Sequence, residues 1–92
     1  MFVPAWANLA DLMRMQGREA DAESALREGI ARAPEDATLH HALGLSLVRQ
    51  KKSDAALSEL KRATELAPGN ARFAYVYGIA MTELAGPARQ PR

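Results

Sequence analysis

The sequence predicts an all-α chain folded as a stack of antiparallel helix pairs, five helices in one domain. Three observations predict it. The chain repeats itself at a shift of 34 residues, the offset from Val3 to Ala37. Each copy reads as two helical patterns joined by a short polar turn and closed by a proline, Pro34 or Pro68. Small and large apolar side chains recur at matching places in the copies, as packed helices require. No strand pattern of any length is present.

The repeat is read directly. Val3–Asp36 laid over Ala37–Asn70 places Leu9 on Leu43, Ala10 on Gly44, Ala22 on Ala56, Leu26 on Leu60 and Pro34 on Pro68. Asp36 falls on Asn70, a second helix-capping type. A further shift puts Tyr77 on Leu43, Gly78 on Gly44 and Met81 on Leu47. The third copy stops after its first helix, as expected of a module cut from a longer array. The units are therefore 3–36 and 37–70, a half repeat or capping helix 71–86, and a tail 87–92.

The first helix is expected from about Pro4 to Met15, since proline in the first turn loses no needed hydrogen bond and Gly17 suits a helix end. The second runs from about Glu19 to Ala31. It carries Glu23–Arg27 and Glu28–Arg32 at the favourable four-residue spacing, and Pro34 pushes Ala33 out of helical angles. Asp36 should cap the third helix, which ends near Gln50, with Leu39 opening its apolar side. Ser53 should cap the fourth, which ends before Pro68. Asn70 should cap a fifth from Ala71 to about Ala85, stopped by Gly86-Pro87. The short connections make neighbouring helices antiparallel.

A 34-residue helix–turn–helix period with this pattern resembles the tetratricopeptide repeat family. The residues that carry the resemblance are Trp6, Leu9, Ala10, Met13, Ala22, Leu26, Gly29 and Pro34, then His40, Leu43, Gly44, Leu47, Ala56, Leu60, Ala63 and Pro68. Departures are Ala10 for glycine, His40 for an aromatic and Gly29 for alanine. Gly29, inside a helix, is expected to cost about 1 kcal/mol relative to alanine. The resemblance covers about nine-tenths of the chain. It implies a right-handed α-solenoid in which the first helix of each repeat lines a concave, partner-binding surface. The core side of those helices would carry Trp6, Leu9, Ala10 and Met13; His40, Leu43, Gly44 and Leu47; and Ala74, Tyr77, Gly78 and Met81.

Size and composition narrow the rest. A chain of 92 residues buries roughly 60–65% of its unfolded surface, and repeat stacks need about three units to close their core. A free end of the stack should therefore carry bare apolar surface. With no cysteine, disulfides, thiol catalysis and cysteine-based zinc sites are excluded. No apolar run approaches the ~20 residues of a membrane helix. Met1-Phe2-Val3-Pro4 lacks the basic start and apolar stretch of a signal peptide. Charge is uneven: the three segments 3–36, 37–70 and 71–92 carry net −3, +2 and +2, for +1 overall. Such a division favours contacts between acidic and basic ends, or reflects solvated faces that differ.

The expected site is the free face of the first helices: Ala7, Asp11, Arg14 and Met15; Thr38, His41, Leu45, Val48 and Arg49; Arg72, Tyr75, Ile79, Thr82 and Glu83. Leu45, Val48, Tyr75 and Ile79 would make an apolar floor, and Arg14, Arg49, Arg72 and Glu83 a charged rim. Three helices ~9–10 Å apart span ~20 Å, about six extended residues. One subclass of the family grips a C-terminal carboxylate with Lys, Asn and Arg. The matching positions here are Ala7, Asp11, Leu45, Tyr75 and Ile79, and none of them fits.

No cofactor or metal is expected. His40 and His41 point ~100° apart on one helix and cannot share an ion. His40 reads as a packed substitute for an aromatic, and His41 as a groove residue whose charge tunes binding near neutral pH. Arg49-Gln50-Lys51-Lys52 is one short basic run on a near-neutral chain, too little for a nucleic-acid surface. No catalytic motif is present, and Asp11 and Asp54 read as solvated. The reading is a non-catalytic scaffold or adaptor that binds a protein or peptide. Its alternative is a self-associating or purely structural segment of a longer solenoid.

Overall fold

The computed structural model describes residues 6–85. Among them are five α-helices: α1 Trp6–Met15, α2 Glu19–Arg32, α3 Ala37–Arg49, α4 Ser53–Leu66 and α5 Ala71–Ala80, with a π turn, Met81–Ala85, extending α5. Pro4, Gly86-Pro87 and the tail lie outside the described residues. The chain folds as two helical hairpins, α1–α2 and α3–α4, stacked through α2 and α3, with α5 laid against α4.

The hairpin turns explain their own residues. At the end of α1, the Gly17 N–H donates to Arg14 O at 2.9 Å and the Arg18 N–H to Met13 O at 2.8 Å. At the end of α3, the Lys51 N–H donates to Val48 O at 3.0 Å and the Lys52 N–H to Leu47 O at 2.9 Å. Both close the helix with a left-handed residue, Gly17 at φ +77° and Lys51 at φ +65°, which lets otherwise unpaired carbonyls find donors. This geometry corrects the expected cap of α4. Ser53 is already its first helical residue, Lys52 precedes it, and no side chain caps the end. Asp36 and Asn70 do cap. The Asp36 carboxylate accepts from the Thr38 and Leu39 N–H groups, and Asn70 Oδ1 accepts from the Phe73 N–H at 3.0 Å.

Alanine and leucine build the core: Ala22 and Leu26 of α2, Leu39, Leu43 and Leu47 of α3, Ala56, Leu60 and Ala63 of α4. Each buried leucine contributes ~2 kcal/mol of transfer free energy, and the alanines set the close spacing that lets leucines reach across. Gly44 is pinned this way, since a Cβ there would stand 2.6 Å from Leu60 Cγ. Gly29 corrects the expectation of a helix defect. A Cβ on it would lie 2.6 Å from Trp6 Cγ, so its missing side chain is what seats the indole on α2.

The core side of the outer helices departs from expectation. Leu9 is 40% exposed and Met81 46% exposed, and Ala74 and Gly78 are also exposed, whereas Leu43 and Gly44 at the matching places in α3 are buried. The cause is position in the stack: α3 is covered by α2 and α4, while α1 and α5 each have one side without a neighbour among the described residues. α2 also runs one residue past Ala31, and α5 gives way at Met81 to a π turn. There the Thr82 hydroxyl donates to Gly78 O at 3.2 Å, an acceptor the helical ladder would otherwise use alone.

Candidate functional site

α1, α3 and α5 bring one face each to a groove of about 430 Å³. Its floor is α3, with Ala42 and half-buried Leu45 beside His41. Asp11 stands on the α1 side; Asn70, Arg72 and Phe73 stand on the α5 side, and Thr38 closes one end. The mixture is an apolar base between one acidic and one basic wall, which suits a chain carrying apolar side chains and a polar backbone. Asp11 is exposed, with the Arg14 guanidinium 3.9 Å away.

His41 lies deeper than expected. It is 4% exposed and its ring stacks on Phe73, centroids 4.3 Å apart and planes 19° from parallel. Burial, reinforced by the Arg72 charge, pulls its pKa below the ordinary value of 6.5. Its Nδ1 is buried without a hydrogen-bond partner, so a second ring proton would have nowhere to donate. His41 thus stands in the wall between α3 and α5, where burial disfavours the charged form expected of it. Phe73 is a groove residue that sequence reasoning missed. Its signal was available, since a shift of 34 sets it on Leu39, another buried residue three places after a cap.

The other expected groove residues divide. Val48 packs against the core. Arg49 turns to α2, where Nε and Nη2 donate to the Glu19 carboxylate at 2.8 and 3.1 Å. Ser46 donates to the same carboxylate, and Gln50 and Lys52 donate to Glu23. Arg49, Gln50 and Lys52 of the basic run are therefore answered by the acids of α2, which accounts for part of the uneven charge along the chain. Glu19 and Glu23 are held below the ordinary carboxylate range, chiefly by Arg49 and by Arg27 respectively. Tyr75, Ile79, Thr82 and Glu83 gather with Ala74 and Gly78 along an open trough of about 420 Å³ on α5. Tyr75 is 69% and Ile79 43% exposed. The expected continuous apolar floor is thus two surfaces, one centred on Leu45 and one on α5.

His40 is buried and does more than fill an aromatic place. Its Nδ1 faces Glu59 Oε1 and its Nε2 faces Pro34 O, each at 2.7 Å, tying α3 to α4 and to the preceding loop. Among the described residues no group of three or more His, Asp or Glu side chains converges as metal ligands. No described helix is long and apolar enough to cross a membrane.

Two family profiles match the chain, both described as tetratricopeptide repeat, over residues 3–45 and 37–70. No curated protein matches it. Repeats of this family mediate protein–protein interaction, bind proteins or peptides, and are typically non-catalytic scaffolds. With two hairpins of matching length, the same closing turn in each and both profiles falling on them, the chain belongs to the tetratricopeptide repeat family.

Proposed function

We propose that this chain is a scaffold or adaptor that captures a peptide segment of another protein in the groove between α1, α3 and α5. The observation that carries the proposal is the groove itself: about 430 Å³, with an apolar base at Ala42 and Leu45 and Asp11 and Arg72 on opposite walls. A peptide would bury an apolar side chain over Leu45. Its orientation would be set by Asp11 and Arg72, since opposed charges fix register more than they add affinity. Arg14, exposed at the α1 end, extends that rim. The working unit would be one domain of two repeats, 3–36 and 37–70, closed by the segment 71–86.

The test is selection of binders from a displayed random-peptide library, followed by titration of a selected peptide against Leu45→Asp and Thr38→Arg. Each substitution should weaken binding by tenfold or more, roughly 1.4 kcal/mol, with the helical circular dichroism unchanged. Peptides whose affinity is indifferent to both would refute the groove as the site.

A further inference from the structure

We propose that α5 and its π turn form a self-complementary surface through which two copies of this chain pair antiparallel. α5 reads ARFAYVYGIA, with one charge in ten residues, yet only Phe73 and Ala80 are buried. Ala71, Tyr75, Gly78 and Thr82 are all exposed, and their spacing of four, three and four residues makes one stripe along the helix. Exposed apolar surface of this kind marks an interaction face.

Shape and charge both point to a second copy as the occupant. Tyr75 is a large projecting side chain, and Gly78, one turn on, leaves a hollow with nothing within 4 Å of its Cβ direction. In an antiparallel pair centred between them, Tyr75 of each copy sits over Gly78 of the other, while Ala71 meets Thr82. Arg72 and Glu83 are eleven residues apart, about three helical turns, and so lie on one flank. Neither makes an ion pair among the described residues. Like flanks face each other in an antiparallel pair, so Arg72 of one copy meets Glu83 of the other, twice. The helix and turn together are ~22 Å long and bury roughly 400–500 Å² per copy. That is below a standard interface of ~800 Å² per partner, so the pairing is weak and depends on concentration. This surface adjoins the Leu45 groove and shares Arg72 with its wall.

The experiment is sedimentation equilibrium of the full chain from about 5 μM to about 1 mM, a range wide enough to reveal weak pairing. The mass should rise from 10.0 kDa toward twice that value. Gly78→Lys should hold the chain at 10.0 kDa, and it should fold normally because the position is open. Arg72→Glu and Glu83→Arg should each weaken pairing about fivefold, near 1 kcal/mol, and together restore it. A single mass of 10.0 kDa at every concentration overturns the proposal, as does a dimer that Gly78→Lys leaves intact, which would place the contact elsewhere, for example at Leu9 and Leu12. A monomer that instead binds a peptide of residues 52–68 would assign the face to a repeat-type helix, which also overturns it.

Discussion

Three glycines sit inside described helices, Gly44 and Gly78 at matching places and Gly29 at the place of Ala63, and their surroundings give them opposite effects. Gly29 and Gly44 are pressed against Trp6 and Leu60, while Gly78 faces open space. At Gly29 any side chain must displace the indole, and overpacking of this kind costs ~1–3 kcal/mol. At Gly78 only helix propensity operates, worth ~1 kcal/mol in favour of alanine. Gly29→Ala should therefore lower, and Gly78→Ala raise, the free energy of urea unfolding measured on dilute protein. Equal signs would contradict the packing described for Trp6. The composition alone treats these residues alike, because what separates them is a contact between α1 and α2 that bridges 23 residues of sequence, from Trp6 to Gly29.

At the level of elements, boundaries were legible wherever one residue type forces them. Pro34 and Pro68 end α2 and α4, and Asp36 and Asn70 cap α3 and α5 through the bonds their side chains make. The α4 start was not legible in Ser53, because the turn before it, with Lys51 left-handed, already decides the path of Lys52. Thermal melting separates the two cases. Asp36→Ala should cost about 1 kcal/mol, Ser53→Ala close to nothing, and Lys51→Gly should stabilise by ~1 kcal/mol by relieving a conformation unfavourable to a side chain. A large loss at Ser53 would restore it as a cap. The π turn was equally hidden, since Met81–Ala85 holds no glycine or proline to mark it, and nothing in the sequence singles out the Thr82 hydroxyl that donates to the Gly78 carbonyl.

For the whole molecule, the periodicity disclosed the stack but not its ends, so half of the expected core of α1 and α5 is bare. The candidate site was legible in part: Asp11, Leu45 and Arg72 line the groove, whereas Arg49 is drawn off by Glu19 on another helix. These contacts shape the response to acid. His41 is buried with its pKa lowered from 6.5, so the unfolded chain takes up that proton first, and stability declines as pH falls below 6.5 toward the lowered native value. Glu19 and Glu23 are lowered from 4.5, so their contribution is complete above 4.5 and disappears as pH falls through their native values. A plot of melting temperature against pH should therefore show two declines. His41→Phe should erase the first and keep the second; a variant that leaves the first in place would show that another group causes it.

The edge of the α2–α3 junction that carries Glu19, Glu23, Arg49 and Lys52 is held by carboxylates and cations close to water, whereas the hairpins and the floor of that junction are held by hydrocarbon. Dissolved electrolyte weakens the first kind of bond and spares the second. Added salt should therefore loosen that rim, while the apolar contact beneath it keeps the two hairpins stacked as one body.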